Sequence, residues 1–138
     1  MGQTVFIPRE LDANEPRVAA SPESVKRLVG LGFEVIVEKG AGLGSRIIDQ
    51  DFAAAGAAIG KAADASKADV VLKVRRPADA ELKGYKPGAA VIAIMDPYGN
   101  DAAVAAMAKA GITAFSMEFM PRITRAQVMD VLSSQANL

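Results

Sequence analysis

The sequence predicts a doubly wound α/β domain, with a mostly parallel sheet and helices on both faces. Three observations carry this. Short β-type runs alternate with segments of helical periodicity along the chain, an order that builds βα units. Runs such as Val70-Val71-Leu72 and Ala89-Ala90-Val91-Ile92-Ala93-Ile94-Met95 are nearly continuously apolar, which argues for strands covered on both faces. The length, 138 residues, leaves room for one domain with a real core and little more. The βα order then implies parallel strands joined by right-handed crossovers.

Strands are expected at residues 4–8, 33–38, 70–74, 90–95 and 113–117, and helices at 22–31, 50–55, 78–82, 101–109 and 125–135. The chain enters the first strand at once, through Thr4-Val5-Phe6-Ile7-Pro8. Ser21 before Pro22 supplies an N-cap with proline at the first helical position, and Gly32 ends that helix. Gly40-Ala41-Gly42-Leu43-Gly44 follows the second strand and invites a dinucleotide reading. It lacks the third glycine, because position 45 is Ser45, and no capped helix opens inside it; a glycine-rich turn is expected. Pro87-Gly88 and Pro97-Tyr98-Gly99 punctuate turns, the second at the carboxyl end of a strand, where open parallel sheets bind ligands. The fold is thus Rossmann-like or flavodoxin-like but lacks the dinucleotide fingerprint.

Composition excludes several functions. Net charge is zero and no basic cluster suggests nucleic acid. There is no cysteine, so disulfides and thiolate chemistry are excluded, which suits a reducing cytosol. There is no histidine, which removes imidazole acid–base catalysis and the commonest metal-ligand sets; no metal site is expected. No apolar run approaches the ~18–20 residues that span a bilayer, and no signal peptide is visible. Any membrane link is expected to come through a partner.

The closing segment is the most informative. Read as a helix, it places Gln127, Asp130, Ser133, Ser134 and Asn137 on one side and Val128, Met129, Val131, Leu132 and Ala136 on the other. The polar side carries short hydrogen-bonding groups but no Lys or Glu, unlike an ordinary solvated face. Two readings stand. Thr124-Arg125-Ala126-Gln127 fits a capping box and Asp130 suits the helix dipole. Alternatively, the face, with Arg122 just before it, holds a polar ligand.

The wording of this segment resembles one family. Met117-Glu118-Phe119-Met120-Pro121-Arg122-Ile123-Thr124-Arg125-Ala126-Gln127, followed by Met129-Asp130 and Leu132-Ser133-Ser134-Gln135-Ala136-Asn137, looks like the NAD(H)-binding alpha subunit of proton-translocating NAD(P) transhydrogenase. The resemblance covers nearly the whole chain. It includes Phe6-Ile7-Pro8-Arg9-Glu10, Glu15-Pro16-Arg17-Val18-Ala19, Gly40-Ala41-Gly42 and Lys73-Val74-Arg75-Arg76-Pro77. It implies direct hydride transfer between NAD(H) here and NADP(H) on a partner component, coupled to proton movement by a membrane subunit. It also implies a homodimer, cytoplasmic and peripheral to the inner membrane. By the resemblance, Arg122, Ile123, Thr124, Arg125, Gln127, Asp130 and Ser133 bind the cofactor. Arg122, Gln127 and Asp130 are the catalytic candidates. Arg122 would fix the carboxamide or ribose, Asp130 with Ser133 the ribose or amide hydrogens, and Gln127 would bridge toward the partner's nucleotide. Orienting the carboxamide is what hydride transfer demands.

Alanine dehydrogenase shares the N-terminal fold, and there an Arg and a Lys in the matching motifs hold the substrate while a His acts as acid and base. The matching Arg and Lys are Arg17 and Lys73; the position aligned with the His is Asp96. Without resemblance, Arg17 reads as a loop salt bridge and Lys73 as a strand-end lysine that snorkels outward. Arg75-Arg76-Pro77 reads as a solvated loop. Asp96 and Tyr98 are possible neighbours of Arg122 in a strand-end cleft. Amine oxidation needs proton transfer as well as hydride transfer, so the missing histidine favours transhydrogenase. A noncatalytic α/β interaction or regulatory module is the reading from a different class.

The last helix runs into Asn137-Leu138 with no glycine cap. The expectation is therefore an incomplete N-terminal domain over 1–138, with the fingerprint-bearing nucleotide domain absent. Alone, such a chain would bind NADH weakly or not at all, catalyse nothing and self-associate through an uncovered apolar face.

Overall fold

The computed structural model describes residues 3–119, so the expected helix at 125–135 lies outside the described residues. Among the described residues, six parallel strands form one sheet: β1 Thr4–Ile7, β2 Glu34–Glu38, β3 Ala58–Gly60, β4 Val70–Arg75, β5 Ala90–Ile94 and β6 Thr113–Ser116. Their order is β3-β2-β1-β4-β5-β6, all pairs parallel. The helices in this stretch are α1 Pro22–Gly30, α2 Asp49–Ala54, α3 Asp79–Leu82 and α4 Asp101–Lys109. Short 3-10 turns occupy Leu43–Ser45, Ala62–Lys67 and Met117–Phe119.

Local chemistry sets the first crossover. The Ser21 hydroxyl accepts the Ser24 amide at 3.1 Å and Pro22 opens α1. Leu31 closes the helix, and the chain turns at Gly32 with φ +98°, a conformation that glycine adopts without a steric cost. α1 contributes Val25 and α2 contributes Phe52, both fully buried, to a core with Val5, Ile7, Val35 and Val37. On the other face Phe6, Val71, Val91, Ala93 and Met95 pack with Leu82, Tyr85 and Met107, from α3, the loop after it and α4. β1 feeds both cores through alternate side chains, as a strand covered on both faces must.

Two features depart from expectation. β3 is an additional strand, three residues long, too short to leave an apolar run in the sequence. At the opposite edge, β6 is not covered on both faces among the described residues: Thr113 and Ala114 are exposed, and Phe115 retains 52% of its accessible surface. No helix among the described residues is long and apolar enough to cross a membrane.

The strand order reverses between β1 and β4. Crossovers leave in opposite directions there, and the carboxyl ends of these two strands open a crevice.

Candidate functional site

At that crevice the loop after β1 meets the ends of β4 and β5. A cavity of about 290 Å³ is lined by Glu10, Lys73, Arg75, Arg76, Glu81 and Asp96, among others. An adjoining cavity of about 510 Å³ takes Glu10 and adds Glu15, Arg17, Glu38 and Gly44.

Lys73 does not snorkel. It projects from β4 into the protein, 5% exposed, and its Nζ donates to Glu81 Oε2 at 3.0 Å and Glu10 Oε1 at 3.4 Å. Glu10 also accepts the Val74 and Arg75 amides, each at 3.0 Å. Those amides follow Leu72, where β4 slips register against β5, and the carboxylate supplies the acceptors there. One buried cation between two carboxylates thus fastens the β1 loop and α3 to β4.

Arg17 forms the loop salt bridge. Its Nε and Nη2 donate to the two oxygens of Glu15 at 2.8 and 2.7 Å, a bidentate pair. Arg75 Nε adds a third donor at 2.8 Å. The Arg17 hydrogen bond, opposed by burial and reinforced by the Arg17 amide and Arg75, pushes the Glu15 carboxyl down to about 2. Arg75 and Arg76 are therefore not a merely solvated pair. Arg76 Nη1 donates to the carbonyls of Met95 at 2.8 Å and Asp96 at 3.0 Å.

The glycine-rich loop is a turn, packed on its own chain. A Cβ on Gly42 would lie 2.7 Å from the Ile47 carbonyl oxygen, and one on Gly44 would lie 2.6 Å from that of Pro16. The Ser45 hydroxyl also donates to the Pro16 carbonyl, at 2.8 Å. These glycines serve close backbone approach and hold the loop that carries Glu15 and Arg17. Both stand against backbone where a side chain would not fit, and Gly44 also lines the cavity of about 510 Å³.

Asp96 adopts φ +47°, left-handed and unusual for a residue with a side chain. Asn100 Nδ2 donates to its carbonyl at 2.8 Å. The Glu118 carboxylate accepts its amide, and that of Met95 at 2.9 Å.

Of the residues singled out in the sequence, Lys73 and Asp96 line one cavity and Arg17 lines its neighbour. Tyr98 stands 77% exposed and is not among the residues lining either cavity. Arg122, Ile123, Thr124, Arg125, Gln127, Asp130 and Ser133 lie outside the described residues. Sequence reasoning missed Glu10, Glu15, Glu81 and Glu118 as structural partners. A lysine on an apolar strand was the available signal for the first and third, since a buried ammonium requires carboxylates.

The family profile described as "Alanine dehydrogenase/PNT, N-terminal domain" matches residues 6–138. The chain belongs to this family. Within it, the chain is 53% identical, over 97% of its own length, to an NAD(P) transhydrogenase subunit alpha polypeptide of Rhodospirillum rubrum. It spans 37% of that relative. The transhydrogenase structure from Sinorhizobium meliloti matches with TM-score 0.95 and 67% identity, covering 98% of this chain and 41% of that one. An L-alanine dehydrogenase structure matches with TM-score 0.83 and 29% identity, covering 89% of this chain and 34% of that one. Family membership accounts for the sheet order, and the higher identities lie on the transhydrogenase side.

Proposed function

We propose that this chain forms the N-terminal part of the NAD(H)-binding alpha subunit of a proton-translocating NAD(P) transhydrogenase. In this reading hydride passes directly between NAD(H) and NADP(H), the latter held by a partner component, and a membrane subunit couples the exchange to proton movement. The observation that carries the reading is chemical. The chain has no histidine, and the strand-end position aligned with the dehydrogenase acid–base residue is Asp96. The dehydrogenases use an imidazole as acid and base at that place; exchange between two nicotinamides needs no acid–base residue.

A crevice lined by charged side chains at the reversal of strand order supports a polar ligand there. NAD(H), when bound, supplies the hydride carbon. The chain's part is orientation: Arg122 holds the carboxamide or ribose, with Ile123, Thr124 and Arg125 forming the same wall. Asp130 and Ser133 hold ribose or amide hydrogens, and Gln127 faces the NADP(H) component. The subunit works as a homodimer, peripheral to the inner membrane on its cytoplasmic side, through these partners.

In the complete subunit carrying residues 1–138, mixed with its NADP(H) component, Gln127→Ala is expected to slow single-turnover hydride transfer more than it weakens NADH binding. An unchanged transfer rate would sink the role given to Gln127.

A further inference from the structure

Two loops wall the larger cavity, of about 510 Å³, and only one of them is tied down. The fixed wall is the glycine-rich turn. Gly42 and Gly44 stand against backbone, the Ser45 hydroxyl donates to the Pro16 carbonyl at 2.8 Å, and Asp49 accepts the Gly40 amide at 2.9 Å. This turn presents Leu43 to the cavity with 59% of its surface exposed.

The other wall is the chain between Glu10 and Glu15. Both carboxylates are buried anchors. Glu10 accepts from Lys73 and from the Val74 and Arg75 amides, and Glu15 accepts from Arg17 and Arg75. Arg75 joins the two anchors, donating to Glu10 through its amide and to Glu15 through its Nε. Between them Leu11, Asp12, Ala13 and Asn14 are all exposed. Among the described residues, the hydrogen bonds of this stretch reach no further than Glu15. The Asn14 amide goes to Asp12 Oδ1 at 2.8 Å, and the Glu15 amide goes to the Asp12 carbonyl at 3.0 Å. Four residues thus fold on themselves as one small turn that no such bond ties to the sheet. Segments with few outside contacts open and close at low cost, and parts that move on ligand binding are drawn from them. Leu11 is 62% exposed and lines both cavities. Two leucines left in water on the walls of one cavity gain by meeting.

We propose that residues 11–14 are a flap. Held at Glu10 and Glu15, it moves toward the glycine-rich turn, sets Leu11 against Leu43 and closes the larger cavity. Arg75 keeps its two posts at a fixed separation, so the turn between them moves while the sheet edge stays still. Bound NADH favours the closed position, because a closed flap covers the crevice and makes contacts that an open one lacks. The coupling to NADH rests on the transhydrogenase reading; the closure does not.

The test uses the complete subunit carrying residues 1–138. This stretch has no cysteine, so a disulfide between Leu11→Cys and Leu43→Cys is assigned by peptide mass. Its rate of formation with copper phenanthroline is compared with that of Leu11→Cys paired with Ile48→Cys. Ile48 is exposed but is not among the residues lining either cavity. NADH binding is followed by fluorescence titration on the same variants. The first pair should form its disulfide at least about tenfold faster than the control pair, through its higher effective concentration. Saturating NADH should raise that rate about threefold or more by shifting the flap toward closure. A first pair no faster than the control, or one whose rate stays the same while NADH binds, overturns the inference. Fast pairing in a subunit that does not bind NADH keeps the flap and removes the transhydrogenase reading instead. If the paired variants do not fold, hydrogen exchange of the parent subunit decides. Amides of residues 11–14 should then exchange at least about tenfold faster than those of Val74 and Arg75, and slow when NADH binds. Equal protection, or no slowing while NADH binds, overturns the flap.

Discussion

Lys73→Met would test whether the buried charge cluster holds the strand edge together. The Lys73 side chain is 1% exposed, that of Glu10 2% and that of Glu81 14%. Methionine keeps the length of the stem and removes the ammonium, leaving two carboxylates in a site with little solvent. Breaking a buried pair by deleting one partner costs about 3–5 kcal/mol, most of it the uncompensated charge that remains. Both acids retain other donors: Val74 and Arg75 amides for Glu10, and the Ala78 amide at 2.9 Å for Glu81. The expected loss is therefore at the lower end, about 3 kcal/mol. In urea, with a slope of about 1–3 kcal/mol per molar, the midpoint should fall by roughly 1–3 M. Adding Glu81→Gln to Lys73→Met should recover part of the loss, because one stranded charge is gone. The four-way cycle should then give a coupling of about 1 kcal/mol or more. A Lys73→Met protein within about 0.5 kcal/mol of the parent, at unchanged slope, would refute the reasoning and return Lys73 to an ordinary strand-end lysine.

The loop that carries Arg17 supports two more predictions. Glu15 has a folded carboxyl pushed down from 4.5 to about 2, so its contribution is complete above its unfolded value and is lost as pH falls toward about 2. The shift bounds that contribution at about 3.5 kcal/mol, taking about 1.4 kcal/mol per unit, and the exposure of Arg17 and Arg75 reduces it to about 1–2 kcal/mol. Glu15→Gln should accordingly be less stable near neutrality and converge on the parent between pH 5 and pH 2, measured by chemical denaturation; parallel pH curves would count against it. Gly44→Ala should cost about 1–3 kcal/mol by overpacking, since its Cβ would meet backbone of Pro16 rather than a movable side chain. A Tm equal to the parent's would show that the loop simply gives way.

The parts of the fold that were legible in the sequence are those written locally. Ser21-Pro22 and Gly32 bracket α1 because capping and left-handed turns are chemistry of adjacent residues. The apolar runs mark β1, β2, β4 and β5 because burial on both faces leaves no polar alternation. β3 escaped, being three residues that end in Gly60, where a Cβ would crowd Asp64 and Ile36. Lys73 was visible as an anomaly, but its partner Glu10 lies 63 positions away and only the sheet brings them together. Asp96 hid its conformation altogether. A residue before proline is biased toward extended backbone, yet here the clamp of Glu118, Arg76 and Asn100 holds it left-handed.

That override bears on what Asp96 does. An acidic residue at the carboxyl edge of β5 that lines a cavity invites the thought that it moves protons. The polar contacts around it are arranged for something else. Glu118 takes the Asp96 amide and Arg76 and Asn100 take its carbonyl, and Glu118 and Arg76 grip Met95 in the same way. These contacts fix the path of the chain at the carboxyl edge of β5. The contacts described for Asp96 all go to its backbone, so what they organise is the turn rather than a proton path. Transferring hydride between two rings makes the opposite demand: no proton relay, and a rigid edge against which both rings are aligned. Under the proposed transhydrogenase reading, a turn fastened on both sides suits that requirement.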